Sequence, residues 1–173
     1  MTLPELSIII PTLNEAESLP LLLADLVQQR ELAFEVVVSD GGSVDSTCTI
    51  VDAFFASGKL SGNCVVGPAG RGRQLNLGVG AAKADWLLFL HADSRICDVL
   101  QLRKALDFIC EYQQQQTGLK TAGRFSLEFD KRADENRYGL FYYEAKARLG
   151  RPGCIHGDQG MLMTKACLHE AGS

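Results

Sequence analysis

Two side chains able to hold a ligand, His91 and Asp93, stand one residue apart just past the apolar run Trp86-Leu87-Leu88-Phe89-Leu90. A short apolar run that stops in His-x-Asp reads as a buried strand delivering both groups to its carboxyl end. In open α/β sheets, ligands bind in the crevice beyond those ends. Three other stretches carry residues of the same kind. Asn14 and Glu15 follow Leu6-Ser7-Ile8-Ile9-Ile10-Pro11, Asp40 precedes Gly41-Gly42-Ser43, and Arg71 and Arg73 sit in Gly70-Arg71-Gly72-Arg73. Carboxylates so placed suit ribose hydroxyls, a base N–H or a hard divalent cation. Arginines suit phosphate oxygens, as planar forks or as simple charges. Together they describe a nucleotide-diphosphate pocket with a metal bridge, built around Asp93.

Each stretch also has a plainer reading. Asn14 and Glu15 could simply begin a helix, Asp40 to Ser43 could be a tight turn, and the Gly-Arg-Gly-Arg run an exposed basic turn. His91 could be a satisfied buried histidine. Asp93 resists this treatment, because a carboxylate capping a buried strand needs a partner. The arginine loop is neither a Walker loop, which needs Gly-Lys-[Ser/Thr], nor a dinucleotide G-x-G-x-x-G after the first strand.

The elements that must position these groups alternate along the chain. Strands are expected at 6–10, 34–38, 63–66 and 86–90. Between them the apolar spacing of Leu19, Leu22, Leu23, Leu26 and Val27, and of Ile50, Val51, Phe54 and Phe55, predicts helices, and a third helix is expected from Gln74 to Ala84. A βαβ series at these intervals folds as a parallel sheet with right-handed crossovers, so the four strand ends open on one edge. After Arg95 the pattern changes. Val99, Leu102, Leu106, Phe108 and Ile109 suggest a helix, Phe125 to Phe129 alternates as an antiparallel strand would, and Arg137 to Leu149 suggests another helix. The short apolar run Met161-Leu162-Met163 precedes a last helix, Lys165 to Ala171.

With 173 residues the chain has material for one domain with a sizeable core. Its formal charge of −4 gives no global attraction to nucleic acid or anionic lipid, so any anion site must be local. The six cysteines include no C-x-x-C pair and read as reduced thiols in a cytoplasmic protein. No signal-type leader opens the chain and no run approaches about 18 apolar residues, which leaves peripheral contact with the inner face of a membrane open.

The first half resembles a family-2 glycosyltransferase of the GT-A type. Ile8-Ile9-Ile10-Pro11-Thr12-Leu13-Asn14-Glu15 is similar to that family's opening strand and P-x-x-N-E loop. Asp40-Gly41-Gly42-Ser43-Val44-Asp45-Ser46-Thr47 is similar to its D-D-G-S-x-D-x-T segment, and His91-Ala92-Asp93 falls where it carries D-x-D. The Gly-Arg-Gly-Arg loop matches a small bacterial subgroup. The resemblance implies a Rossmann-like, mostly parallel sheet flanked by helices, with 1–96 as the nucleotide-sugar half and 97–173 as a mixed acceptor half of one domain. It implies a nucleoside-diphosphate sugar donor, with Pro11, Asn14, Glu15 and Asp40 lining the nucleotide and Arg71 and Arg73 near base or diphosphate. It further implies Mn²⁺ or Mg²⁺ on Asp93, with His91 as a second candidate ligand, and inverting transfer to a hydroxyl acceptor.

Three departures from the family pattern stand out. Gly41 replaces the second Asp of D-D-G-S, and His91 replaces the first Asp of D-x-D. The family's acceptor-side Glu-Asp motif, which carries the general base, lies beyond the segment similar to Gly157-Asp158-Gln159. The base is therefore expected beyond Ser173, in a longer protein of which this is a truncated copy. Asp158 is left as the acceptor-side candidate and Glu170 as a solvated helix residue. Two rivals are a sugar-phosphate nucleotidyltransferase, whose Gly-rich loop would follow the first strand rather than the third, and a non-catalytic nucleotide-binding domain.

Overall fold

The computed structural model describes residues 3–115, 121–126 and 160–172. The strands are β1 (Leu6–Thr12), β2 (Phe34–Asp40), β3 (Gly62–Val66), β4 (Trp86–Phe89), β5 (Ala122–Arg124) and β6 (Met161–Thr164). The helices among these residues are α1 (Leu19–Val27), α2 (Thr47–Ala56), α3 (Arg71–Ala81), α4 (Gln101–Gln115) and α5 (Lys165–Glu170). The strands form one sheet in the order β3-β2-β1-β4-β6-β5. β1 pairs in parallel with β2 and β4, and β2 with β3, while β6 runs antiparallel to both β4 and β5. The expected α/β sheet, mostly parallel with a mixed second half, is therefore what forms.

The alternation of strand side chains divides the core between the two faces. Ile8, Ile10, Val36, Val38 and Leu88 face one side, where α1, α2 and α4 bring Leu19, Leu22, Leu26, Val51, Leu102 and Leu106. Ile9, Val37 and Leu87 face the other side, against Leu75 and Val79 of α3 and Leu168 of α5. Both faces are covered, which is why β1 and β2 read as near-continuous apolar runs. Each of these fully buried Leu, Ile and Val side chains contributes about 1.5–3 kcal/mol. Gly78 lets α3 approach β1, since a Cβ there would stand 2.5 Å from Ile9 Cγ2. No helix among the described residues is long and apolar enough to cross a membrane.

Several expectations need correction. The third helix spans Arg71–Ala81 rather than Gln74 to Ala84. Gly70, at φ +134°, turns the chain so that the helix begins at once, and Arg71 and Arg73 sit in its first turn rather than in a loop. Its end is set at the opposite edge of the sheet. There the buried Glu35 accepts from the Lys83 N–H at 2.5 Å and from Ser7 Oγ at 2.7 Å, and Ser7 Oγ accepts from the Ala84 N–H at 2.9 Å. Asn14 and Glu15 do not begin α1, which starts at Leu19.

In the second half, β5 lies at Ala122–Arg124, ahead of the expected 125–129. Its register against β6 closes at Arg124–Met161, and the Phe125 N–H then donates to Gly160 O at 3.0 Å. Phe108 does not join the apolar face of α4. Two positions from Leu106, it points away from the core and is 71% exposed. Cys154, Gly157-Asp158-Gln159, the helix expected at 137–149 and the rest of the 125–129 stretch lie outside the described residues.

Candidate functional site

Parallel pairing places the carboxyl ends of β1 to β4 on one edge, and hydrogen bonds lock the loops leaving them to each other. Asn14 takes a left-handed backbone, φ +57°, and its Oδ1 accepts from the Val44 N–H at 2.9 Å. In return the N–H groups of Asn14, Glu15 and Ala16 donate to Ser43 Oγ, Thr47 Oγ1 and Asp45 Oδ2 at 2.8–3.1 Å. The first two loops are thus laced side chain to backbone. Asp45, one residue ahead of the α2 N-cap Ser46, also accepts from the Thr47 N–H at 3.0 Å and from its hydroxyl.

Asp40 is wholly buried. Its carboxylate accepts from Thr12 Oγ1 at 3.0 Å, from the N–H groups of Gly42 and Ser43 at 2.8 and 2.7 Å, and from Ser43 Oγ. Burial pushes its pKa up, but the Ser43, Gly42 and Thr12 donors outweigh that and hold the carboxyl below the usual carboxylate range. A carboxylate with four protein donors is an organiser of its loop. For Asp40 to touch a ligand directly, as the sequence suggested, one of those donors would have to be displaced.

The feature that sequence reasoning missed is Gln74, in the first turn of α3 and almost fully buried. Its Nε2 donates to Thr12 O at 2.7 Å and to Ser39 O at 3.0 Å, and its Oε1 accepts from the Gly70 N–H at 3.2 Å. One amide therefore joins the ends of β1 and β2 to the glycine-rich loop. The Gly67 N–H adds a bond to Asp40 O at 2.9 Å. Gly41 is also explained here. A Cβ at that position would meet Gln74 Nε2 at 3.0 Å and Ala69 Cα at 3.2 Å, so Gln74 occupies the room a side chain at 41 would need.

Arg71 and Arg73 are exposed, and Arg71 Nη2 hydrogen-bonds His91 Nε2. That contact joins the third loop to the fourth. His91 begins a turn closed by the Ser94 N–H donating to His91 O at 3.1 Å, and Asp93 sits exposed within it. Pro11, Arg71 and His91 line a cavity of about 380 Å³ together with Leu75, Phe89 and Met161. A larger cavity of about 540 Å³ lies between α4 and β5, away from this edge. Cys48 and Cys64 are neighbours of each other and of Asp40. Burial, with the neighbouring Cys48 and Asp40, pushes the Cys64 thiol up to about 12, so it stays protonated.

Among the described residues no three His, Cys, Asp or Glu side chains are grouped as a metal cage. The donors present fit a different kind of cation site. A Mg²⁺ or Mn²⁺ that arrives on phosphate oxygens keeps several waters and needs only one or two carboxylates, a role for which the exposed Asp93 would be the candidate.

The model of the family described as Glycosyl transferase family 2 matches residues 7–170. The chain belongs to that family. A PGL/p-HBAD biosynthesis glycosyltransferase of Mycobacterium bovis is 33% identical over 141 residues, which are 74% of this chain and 54% of that relative. This family-2 chain thus spans about half the length of the curated relatives it matches. Among solved structures, S. aureus TarS 1-349 in complex with UDP-GlcNAc is 31% identical with a TM-score of 0.58, over 63% of this chain and 32% of that one. The mannosyltransferase PcManGT of Pyrobaculum calidifontis, in complex with GDP-Man and Mn²⁺, aligns with the whole chain and 48% of its own at a TM-score of 0.73. Its 22% identity speaks to the fold, which is GT-A.

Proposed function

We propose that this chain is the donor-binding part of a glycosyltransferase that moves a sugar from a nucleoside diphosphate to a hydroxyl acceptor, with inversion. The observation that carries the reading is the interlocked edge, where the loops leaving β1 to β4 are tied to one another and Pro11, Arg71 and His91 line a cavity of about 380 Å³. Pro11, Asn14 and Glu15 line the nucleotide, and Asp40 serves it through the loop it shapes. Arg71 and Arg73 offer their guanidinium groups to the base or diphosphate from the first turn of α3, where the helix dipole also favours an anion. Asp93, with His91 beside it, faces the diphosphate. When bound there, Mn²⁺ or Mg²⁺ would supply Lewis-acid stabilisation of the negative charge on the leaving diphosphate.

In the transfer, the acceptor oxygen forms a bond to the anomeric carbon as the bond to the diphosphate breaks. The acceptor proton passes to a base outside the described residues, and Asp158 is the candidate for lining that side. Charge builds on the leaving diphosphate in the transition state, so the groups facing it contribute most there. The site of action is cytoplasmic, at or near the inner face of the membrane. A thermal-shift screen of UDP, GDP and ADP with and without Mn²⁺ tests the reading, because a ligand that binds only the folded state raises its apparent stability. A Mn²⁺-dependent rise with one nucleotide supports it, and no rise with any of the three defeats it. Nucleotide binding with no sugar transfer would favour a non-catalytic nucleotide-binding domain.

A further inference from the structure

Asp25 of α1 lies 70 positions from Arg95, in no motif, yet it grips the segment that follows Asp93. Its Oδ2 accepts from Arg95 Nε at 2.6 Å and from the Ile96 N–H at 3.0 Å, and its Oδ1 accepts from Arg95 Nη2 at 3.0 Å. The seam continues along the end of α1. Gln29 Nε2 donates to Asp98 O at 2.9 Å, Gln29 Oε1 accepts from the Leu102 N–H at 3.2 Å, and the Arg30 N–H donates to Val99 O at 2.9 Å. Ala92 and Ile96, on either side of Asp93, are buried in the larger core. The turn at 91–94 is thus pinned before and after Asp93, while Asp93 itself stays exposed.

We infer that the Asp25–Arg95 fork is the positioning device of Asp93, setting where and at what angle its carboxylate meets a cation carried by a diphosphate. The inference rests on the reading of Asp93 proposed above. A two-point guanidinium–carboxylate contact fixes orientation as well as distance, which a single point charge does not. The Arg95 side chain is 51% exposed, and an ion pair with so exposed a partner contributes little to stability. What the fork supplies is aim. Groups that orient a metal-facing ligand typically matter ten- to a hundredfold for metal affinity.

Asp25→Asn and Arg95→Lys, each in the full chain, test this. Titration calorimetry with UDP and with GDP is run over a range of Mn²⁺ and again in chelator. Both variants are expected to need about tenfold more Mn²⁺ for half-maximal nucleotide binding. Binding in chelator is expected to stay as in the wild type in both variants, with the melting temperature unchanged in Arg95→Lys and lowered in Asp25→Asn, whose amide would face the Arg95 and Ile96 donors. An unchanged Mn²⁺ requirement in both variants overturns the inference. So does a joint loss of melting temperature and chelator-resistant binding, the mark of a structural brace. If Asp25→Asn fails to fold, Arg95→Lys decides. A wild type that shows no Mn²⁺-dependent binding of either nucleotide overturns the reading of Asp93 itself.

Discussion

Arg71 and His91, twenty positions apart, meet through Nη2 and Nε2 and join the glycine-rich loop to the end of β4. A guanidinium has only donors, so His91 accepts through Nε2 and the ring proton sits on Nδ1. The histidine that replaces a carboxylate of the family pattern is thus turned toward an arginine. ¹⁵N shifts of His91 are expected to report the Nδ1–H tautomer in the wild type and a tautomer mixture in Arg71→Ala. The same mixture in both proteins would show that the pair does not form in solution.

Asp40 makes stability depend on pH. Its carboxyl is held below its ordinary value in the folded state, so it contributes stability that is fully present above the unfolded pKa of about 3.9. That contribution is lost as pH falls from about 4 through the lower folded value. Asp40→Asn is expected to cost about 2–4 kcal/mol at pH 7, because an amide presents donors to donors. The variant is also expected to lose stability less steeply than the wild type below pH 4, measured by urea unfolding across pH.

Gln74 and Gly41 share one space. Gln74→Ala would leave the Thr12 and Ser39 carbonyls without their donor and is expected to cost about 2–3 kcal/mol. Gly41→Ala should destabilise the wild type but much less a chain already carrying Gln74→Ala. A coupling of about 1 kcal/mol or more in a double-mutant cycle is the expected result, and strict additivity would show that the two positions do not compete.

Cys64 and Cys97 should differ in reactivity. Burial and its neighbours keep the Cys64 thiol protonated, whereas Cys97 is exposed. Mass spectrometry after iodoacetamide treatment at pH 8 is expected to find Cys97 labelled well before Cys64. Equal rates would contradict the half-buried placement of Cys64.

Much of this could be read in the chain before any coordinates. The runs around Ile8-Ile9-Ile10 and Val36-Val37-Val38 are apolar on both faces, as only a covered parallel strand requires. Their spacing against the Leu19–Leu26 stripe sufficed for the sheet and for the common edge. The start of α3 was misplaced because Gly70-Arg71-Gly72-Arg73 looks like a loop, and only the φ of Gly70 reveals that the helix has already begun. Gln74 was passed over because a glutamine in a helix reads as solvated, and nothing in its neighbours signals two buried hydrogen bonds and a third from the Gly70 N–H. Phe108 misled in the opposite sense, since an apolar residue two positions from Leu106 lies on the other side of the helix. Asp40 was legible as important, but its four donors come from positions 12, 42 and 43 and exist only once the loops meet.

The central claim is that Asp93 holds a divalent cation against a nucleoside diphosphate at the end of β4. Titration calorimetry of wild type and Asp93→Ala with UDP and GDP, each with Mn²⁺ and with chelator, tests it most directly. Asp93 is exposed in a turn, so its removal should leave the fold and the melting temperature unchanged. The expected result is Mn²⁺-dependent binding of at least one nucleotide by the wild type and its loss in Asp93→Ala. Equal Mn²⁺-dependent binding by both proteins would contradict the claim.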